Sequence, residues 1–284
     1  MSDPGPTSHI SMPGIPEALY GVVGFPVGHS LSPFLHALAF ANQGIAAAYM
    51  RWEIAARDLD AFMLAVRTLP IHGVSITLPY KQRIIPYLDH LTSEAREVRA
   101  VNTLYWRDKT LWGDNTDCQG IRLPLMSRSI LPESALILGA GGAALAAVKA
   151  LRDMGCPSIA VTARSRDKAK KMFPDLEYIP WDQRREFIPD LLVNTTPLGM
   201  RGELETMSPW PDGSLLQGIG WVFDLVYTPL QTRLLQEADE AGCKIISGLE
   251  MFVFQARRQF ELWTGQGFDP QKAQSLLVDY LRQA

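Results

Sequence analysis

The sequence predicts an α/β protein made of two α/β domains. Short apolar runs rich in β-branched residues alternate with helical patterns along the chain, and this alternation is typical of parallel sheets covered by helices. The 284 residues, 47% of them hydrophobic, are sufficient for two domains of ordinary size. The predicted strands are residues 19–23, 48–54, 71–77, 136–138, 159–162, 191–194 and 221–225.

Turn and cap residues place helices between these strands. Ser32 and Pro33 begin one helix, with Ser32 as a candidate N-cap, and Gly44 ends it. Pro79 suits the first turn of a second helix, so Lys81 is predicted on that turn, where its positive charge opposes the helix dipole. A lysine is seldom placed there for structural reasons, and Lys81 is therefore a candidate functional residue.

The composition argues against several classes of protein. A net charge of −3 without a basic stripe does not favour a nucleic-acid partner. Cys118, Cys156 and Cys243 lie far apart in no CxxC spacing, which predicts neither disulfides nor a thiolate zinc site and indicates the cytoplasm. The histidines form no HExxH pair, so no metal is expected. Apolar residues 135–148 are too few to cross a membrane, and residues 1–17 are expected to be a flexible tail without a targeting signal.

Glycines between a predicted strand and a predicted helix indicate a dinucleotide-binding Rossmann domain. The segment 139–144, Gly-Ala-Gly-Gly-Ala-Ala, follows an apolar strand and opens a helical run that extends to Met154. Glycine permits the tight turn and the close approach of the backbone, and the free N–H groups of the helix N-terminus attract a pyrophosphate. A turn that only packs is the alternative, but the flanking strand and helix favour binding.

The residues after the second Rossmann strand favour NADP over NAD. Domains that bind NAD commonly place an acidic residue there for the ribose hydroxyl, and none stands at the end of strand 159–162. Instead, Arg164, Ser165 and Lys168 could bind a ribose 2′-phosphate. Such a cluster alone is usually a solvated helix start, but its place in the Rossmann unit favours binding.

Polar residues elsewhere in the chain are further candidates for a site. They are Ser30, Ser32, Ser75, Thr77, Asn102, Asp117 and Gln255. A helix cap is the structural alternative for Ser32, and turn chemistry is the alternative for Asn102 and Asp117. Gln255 interrupts an apolar helical stripe, so its amide needs a partner from the protein or from a ligand.

Together these motifs resemble those of the shikimate dehydrogenase family. Ser-x-Ser-Pro, Thr-x-Pro-x-Lys, Ala-Val-Asn-Thr, Asn-Thr-Asp, Gly-Ala-Gly-Gly-Ala and a late Gln-Ala occur in the family's order between residues 19 and 256. The segments 194–200, Asn-Thr-Thr-Pro-Leu-Gly-Met, and 224–229, Asp-Leu-Val-Tyr-Thr-Pro, are further matches. The resemblance implies a substrate domain, an NADP-binding Rossmann domain and C-terminal helices that return to the substrate domain. The expected ranges are residues 18–117, 118–247 and 248–284.

The resemblance also implies roles for individual residues. Lys81 and Asp117 would form the catalytic pair, with the lysine supplying a proton and the carboxylate orienting it. The residues implied to hold a substrate carboxylate are Ser30, Ser32 and Tyr227. The residues implied to contact the ring are Ser75, Thr77, Asn102 and Gln255. The residues implied to bind the cofactor are Gly139, Ala140, Gly141, Gly142, Ala143, Arg164, Ser165, Lys168, Asn194, Thr195, Thr196 and Gly248.

Four positions depart from the family's usual pattern. Ser75 stands where many bacterial members have Asn, and Cys118 where Gly is usual. Leu145 stands where Arg is frequent, and Ala163 where Asn usually precedes the cofactor arginine. The first change keeps a polar contact but alters its reach, and the last weakens the predicted preference for NADP.

The expected activity is the NADP-dependent reduction of 3-dehydroshikimate to shikimate in aromatic amino-acid biosynthesis. A quinate or aminoshikimate dehydrogenase of the same fold is an alternative that Ser75 and Cys118 keep open. An NADP-binding regulatory paralogue without turnover is an alternative of another class, and the presence of both Lys81 and Asp117 argues against it. The expected partner is a small cyclic acid, and a monomer or homodimer is expected.

Overall fold

The computed structural model describes residues 15–210 and 216–283, which form two six-stranded sheets flanked by helices. Residues 1–14 of the predicted tail therefore lie outside the described residues. No helix in the described ranges is both long enough and apolar enough to cross a bilayer. The predicted α/β class with two sheets is confirmed.

The first sheet is mixed, with strand order β2-β1-β3-β5-β6-β4. Its strands are β1 (Ala18–Gly24), β2 (Ala47–Glu53), β3 (Ile71–Ile76), β4 (His90–Leu91), β5 (Thr103–Arg107) and β6 (Thr110–Asp114). β1 runs parallel to β2 and β3, whereas β5 is antiparallel to both β3 and β6. The prediction of parallel layers is therefore wrong for the pairings of β5, whereas β4 is parallel to β6. The β5–β6 hairpin turns at Asp108 and Lys109, which have positive φ angles of 50° and 62° and allow a two-residue connection.

The second sheet is entirely parallel, with strand order β12-β11-β10-β7-β8-β9. Its strands are β7 (Ser134–Leu138), β8 (Ser158–Ala163), β9 (Glu177–Pro180), β10 (Leu191–Asn194), β11 (Trp221–Asp224) and β12 (Lys244–Ile246). The order reverses between β7 and β10, and this arrangement is that of a dinucleotide-binding Rossmann fold. The predicted Rossmann half is confirmed.

Nine α-helices lie in the described part of the chain. They are α1 (Ser32–Asn42), α2 (Leu59–Thr68), α3 (Ser93–Val98), α4 (Asp117–Ser127), α5 (Gly142–Asp153), α6 (Arg166–Met172), α7 (Arg233–Glu240), α8 (Gly248–Thr264) and α9 (Pro270–Gln283). The N-cap of α1 is Leu31, without a side-chain cap bond, so the interpretation of Ser32 as a cap is wrong. The Ser32 hydroxyl is not committed to the start of the helix.

The helix predicted around Pro79 does not form. Residues 78–84 form turns, and a short 3₁₀ helix follows at Ile85–Tyr87. The main-chain oxygen of Lys81 accepts a hydrogen bond from Val101 N at 2.7 Å, so it does not accept from Ile85 N as an α-helix would require. Lys81 is thus held in an irregular turn by a residue distant in sequence, and its predicted opposition to a helix dipole is wrong.

The C-terminal helix α8 packs against the first sheet and against α4. Trp263 of α8 donates its indole N–H to the main-chain oxygen of Leu104 in β5 at 2.9 Å. On another side, α4 approaches α8 at Gly120, where an added Cβ would lie 2.7 Å from the Met251 main-chain oxygen. The return of the chain to the first sheet, expected from the resemblance, is confirmed.

A buried carboxylate ties the ends of β10, β11 and α7 together. Asp224 is fully buried and accepts hydrogen bonds from Asn194 Nδ2 at 2.8 Å, Thr232 Oγ1 at 2.6 Å and Val226 N at 3.0 Å. Burial raises the pKa of Asp224 from 3.8 to about 7, although the three hydrogen bonds act in the opposite direction. Desolvation therefore dominates at this carboxyl.

We predict that Gly120→Ala lowers the free energy of unfolding by about 1–3 kcal/mol, because the new methyl group overlaps a rigid main-chain oxygen. Thermal unfolding of the variant measures the loss. Gly28→Ala is the matched control, since a Cβ there meets no atom within 4 Å. Equal stability of the two variants would contradict the close packing of α4 on α8.

We predict that Asp224→Asn removes part of the pH dependence of stability. The folded pKa, about 7, lies above the unfolded value of 3.8, so the folded protein retains a proton that the unfolded chain releases. This contribution is complete below the lower value and is lost as the pH rises through the higher one. Wild-type Tm should therefore decline across this interval relative to the variant. Parallel Tm profiles of the two proteins would contradict the prediction.

Candidate active site

The carboxyl ends of β1 and β3 bring two predicted site segments together. These strands are parallel neighbours, and Phe25 N, just after β1, donates to the main-chain oxygen of Leu78 at 2.9 Å. β2 holds the serine segment, because Arg51 donates to the main-chain oxygen of Ser30 and Glu53 accepts from Val27 N, each at 2.9 Å. Ser30 and the segment after β3 therefore share one edge of the sheet.

The serine and tyrosine side chains form one wall of this site. Ser32 is buried, and its main-chain N–H donates to Ser30 Oγ at 3.3 Å. Tyr227 stacks on Phe252 of α8 with ring centroids 5.0 Å apart, and burial raises the pKa of its hydroxyl. Tyr227 packs in the same apolar cluster as Leu31, which separates the two serines. The three predicted carboxylate-binding residues are thus placed near one another.

Lys81 and Asp117 form a hydrogen-bonded ion pair. Lys81 Nζ donates to Asp117 Oδ2, and the side chains are 17% and 5% exposed. Asn102 Nδ2 donates to the other carboxylate oxygen, Oδ1, at 2.8 Å. Asp117 is the first residue of α4, where the helix dipole favours a negative charge. The carboxylate is therefore fixed on both oxygens, and the ammonium lies at the accessible side of the pair.

Gln255 has the protein partners that its apolar surroundings require. Its Nε2 donates to the main-chain oxygen of Phe252 at 3.0 Å, and its Oε1 faces Thr116 Oγ1 at 3.4 Å and Asn102 Nδ2 at 3.5 Å. The predicted need for a partner is confirmed. Ser75 is more restricted than expected, because its hydroxyl donates to Gln259 and can meet a ligand only as an acceptor.

The glycine loop of the Rossmann half faces the ion pair. A Cβ on Gly142 would lie 3.9 Å from Lys81 Cδ, so the start of α5 and the lysine border the same space. A Cβ on Gly141 would meet nothing within 4 Å, and no side chain caps α5. The open backbone and the free N–H groups fit a pyrophosphate. Gly139 has a φ of +121°, and a Cβ there would lie 2.5 Å from Thr195 Oγ1. Both the backbone angle and the close contact require glycine at this position.

The remaining residues of the predicted cofactor set are engaged within the protein. Asn194 is buried and bonded to Asp224, and Thr196 donates to Asn194 Oδ1 at 2.7 Å. Thr195 Oγ1 donates to the main-chain oxygen of Leu138 at 2.7 Å. A Cβ on Gly248 would lie 2.5 Å from Leu225 main-chain atoms, so packing accounts for this glycine. These side chains shape the loop beside the glycines.

A cationic cavity of about 650 Å³ lies beyond the ends of β8 and β9. Its polar and aromatic lining comprises three cations, one carboxylate and two aromatic rings: Arg164, Arg166, Lys170, Asp182, Tyr178 and Trp181. Ser165 accepts from Lys168 N at 3.3 Å as the N-cap of α6, and Lys168 is not among the lining residues.

The predicted cofactor residues include Lys168 but not Arg166, although Arg166 belongs to the same run of cations in the sequence, and Lys170 was overlooked. Arg166 and Lys170 are four residues apart and therefore share one face of α6, whereas Lys168 projects from another. Helical spacing was the signal that could have identified them. The same spacing relates the overlooked Gln259 to Gln255 in α8.

Comparison with known proteins places these features in one family. The family model of the shikimate dehydrogenase substrate binding domain matches residues 22–104, and that of the shikimate 5'-dehydrogenase C-terminal domain matches residues 248–272. The NADP(+) shikimate dehydrogenase of Pelobacter propionicus is 46% identical over 270 residues, which cover 93% of this chain and 96% of the relative.

Solved structures also resemble this chain in fold over nearly its whole length. Shikimate 5-dehydrogenase of Thermus thermophilus, in complex with NADP(H) and shikimate, has a TM-score of 0.83 and 37% identity, covering 91% of this chain and 97% of that one. Quinate dehydrogenase of Corynebacterium glutamicum, in complex with NAD, has a TM-score of 0.84 and 28% identity, covering 92% and 99%. This chain belongs to the shikimate dehydrogenase family.

Proposed function

We propose that the protein catalyses the reversible, NADP-dependent reduction of 3-dehydroshikimate to shikimate in aromatic amino-acid biosynthesis. The observation that carries the proposal is the Lys81–Asp117 ion pair beside the open glycine loop of α5. An acid–base group and a dinucleotide-binding backbone border one space, as carbonyl reduction requires. Relatives of 46% and 42% identity are NADP(+) shikimate dehydrogenases.

Lys81 is proposed as the proton donor of the reduction. When bound, NADPH would supply the hydride for the carbonyl carbon. The Lys81 ammonium would give its proton to the carbonyl oxygen, which becomes the hydroxyl of shikimate. Asp117 holds the ammonium in position through its Oδ2, and Asn102 holds the carboxylate through Oδ1. Because the Lys81 side chain is 17% exposed, water can return its proton after each turnover.

The substrate is proposed to lie against the edge of the first sheet. Its carboxylate would be held by the hydroxyls of Ser30, Ser32 and Tyr227. The Ser32 hydroxyl is available for this because it does not cap α1. Its ring hydroxyls would meet Thr77, Asn102 and Gln255, and Ser75 could contribute an acceptor only. Hydroxyl and amide groups of this kind bind a polyhydroxylated acid through directional hydrogen bonds.

The cofactor is proposed to extend from the glycine loop towards the cationic cavity. Gly139, Ala140, Gly141, Gly142 and Ala143 would meet the pyrophosphate, and Asn194, Thr195, Thr196 and Gly248 would shape the adjoining loops. Arg164 would hold the ribose 2′-phosphate, and we add Arg166 and Lys170 to Ser165 and Lys168 as candidates, because both line the cavity.

Cytoplasmic location and a monomeric or dimeric state remain proposals. The three cysteines are buried free thiols, which suits a reducing compartment.

The proposed activity is tested by giving the purified protein shikimate, quinate and aminoshikimate, each with NADP and with NAD. The absorbance of the reduced cofactor is followed. Shikimate with NADP should give the highest kcat/KM. Preferential oxidation of quinate or aminoshikimate would replace the proposed substrate, and no turnover of any of them would favour the regulatory alternative.

We predict that Lys81→Met lowers kcat by about 10²- to 10⁴-fold, the usual contribution of a positioned proton donor. NADP affinity, measured by calorimetry, should change little, because the ammonium acts on the carbonyl oxygen. Lys272→Met is the matched control, since Lys272 is exposed on α9. Activity of Lys81→Met within a few-fold of wild type would contradict the catalytic role.

We predict that Arg164→Ala lowers the preference for NADP over NAD by about 10- to 150-fold in kcat/KM, since a charge-assisted bond contributes roughly 1.5–3 kcal/mol. The rate with NAD should hardly change. Lys170→Ala should lower the same ratio more than Lys168→Ala, because only Lys170 lines the cavity. A wild-type enzyme that uses NAD and NADP equally would contradict the role of these cations.

A further inference from the structure

A chain of buried side-chain hydrogen bonds begins in the core of the first sheet. The Tyr49 hydroxyl lies 2.7 Å from Ser75 Oγ, which lies 2.8 Å from Gln259 Oε1. Gln259 Nε2 lies 3.0 Å from Thr103 Oγ1 and 3.0 Å from the main-chain oxygen of Asn102. All five residues are buried. Gln259 therefore joins α8 to both β3 and the start of β5.

The series of hydrogen bonds continues to the ion pair of Lys81 and Asp117. Thr103 Oγ1 lies 2.7 Å from Asn102 Oδ1, and Asn102 Nδ2 lies 2.8 Å from Asp117 Oδ1. Lys81 Nζ donates to the other oxygen of that carboxylate. An unbroken series of hydrogen bonds thus connects Gln259, which is 2% exposed, with the ammonium of the proposed proton donor.

Two main-chain groups determine the orientation of both amides in the chain. The N–H of Thr116, 2.8 Å from Asn102 Oδ1, can only donate, so the Asn102 amide presents its oxygen there and its nitrogen to Asp117. The main-chain oxygen of Asn102 can only accept, so the Gln259 amide presents its nitrogen there and its oxygen to Ser75.

The hydroxyl groups must then all donate in one direction. Each hydroxyl has one hydrogen, so Thr103 accepts from Gln259 and donates to Asn102. Ser75 likewise donates to Gln259 and accepts from Tyr49. Every donor in the chain consequently points towards Asp117. Aligned hydrogen bonds polarise one another and end here on the group that bears the negative charge.

The beginning of the chain is a neutral aromatic environment. Tyr49 stacks on His36 with ring centroids 4.7 Å apart and an interplanar angle of 12°. Burial raises the pKa of Tyr49 above its ordinary value and lowers the pKa of His36 to about 3. Tyr49 therefore remains a hydrogen-bond donor at neutral pH beside an uncharged imidazole.

We propose that Gln259 is a positioning residue for the reduction, and that it acts through Thr103 and Asn102 on the carboxylate of Asp117. This proposal rests on the proposed function. Gln259 needs no contact with the substrate, because its amide donates to Thr103 and to the main-chain oxygen of Asn102. Thr103 in turn donates to the Asn102 side-chain oxygen, which Thr116 N already fixes in place, and so polarises the amide that donates to Asp117. Ser75 then serves as the link between Tyr49 and Gln259.

The kinetic test uses three variants that each remove a side-chain hydrogen bond of this series and leave the shape of the side chain nearly unchanged. Gln259→Met and Thr103→Val should each lower kcat for shikimate by about 10-fold, and Tyr49→Phe by about 2- to 3-fold. KM for NADP should not change. The double variant Gln259→Met/Thr103→Val should lose little more than either single variant, because both interrupt one series. Losses that multiply would overturn the proposal.

Matched controls separate positioning from general destabilisation. Thr264→Val removes a hydroxyl from the same helix that bonds only locally, to the Phe260 main-chain oxygen at 2.7 Å and to Gln266. Tyr20→Phe removes a hydroxyl from the aromatic cluster that contains Tyr49. The controls should retain wild-type kcat whatever their Tm. Thr103→Val keeps the test decisive even if Gln259→Met does not fold. The proposal would be overturned if kcat fell equally in the two controls and in the variants of the hydrogen-bond series.

A spectroscopic measurement makes the result independent of the substrate. In ¹H–¹⁵N spectra of the full chain, Gln259→Met and Thr103→Val should shift the side-chain amide signals of Asn102, whereas Thr264→Val should not. Unchanged Asn102 signals in both chain variants would overturn the proposal. If the wild-type protein does not oxidise shikimate, the proposed function fails, while these signals still decide whether Gln259 acts on the Asn102 amide through Thr103.

Discussion

The hydrogen-bonded ion pair between Lys81 and Asp117 is the constraint on which the rest of the site depends. A carboxylate that is 5% exposed is costly unless its charge is paired and its oxygens are hydrogen-bonded. Here one oxygen receives the ammonium and the other receives the Asn102 amide. The amide must therefore turn its nitrogen to the carboxylate, and the groups behind it must satisfy its oxygen. The polar residues beneath the pair follow from this requirement.

The sequence predicted those parts of the fold that local pattern determines. The seven predicted strands all correspond to observed strands, and the glycine loop opens α5 as expected. A partner distant in sequence accounts for one error, and an unusual turn accounts for another. The helix predicted at Pro79 does not form, because the main-chain oxygen of Lys81 accepts a hydrogen bond from Val101 N instead of from the next helical turn. The β5–β6 hairpin escaped notice because its turn, Asp108 and Lys109, lacks the glycine that usually marks such a connection.

For the site, the sequence indicated which residue types are present better than how they are arranged. The need of Gln255 for polar partners was visible in its apolar stripe, but those partners come from β5 and α4. Ser75 looked like a ligand contact, yet its hydrogen is used by Gln259, which no local pattern reveals. The contact of each predicted residue with substrate or cofactor stays a prediction. The residue types in a sequence do not determine which molecule occupies the space between the two sheets.

Gly142 has a consequence for how such a molecule can change over evolution. This glycine belongs to the nucleotide half, but the space that a side chain would occupy there ends 3.9 Å from Lys81 Cδ in the other half. That distance is an ordinary van der Waals contact, so an alanine methyl group would fit there, whereas a longer side chain would extend towards the ion pair. A chimera that joins halves from two relatives would therefore keep this junction open only where the nucleotide half carries a small residue at this position.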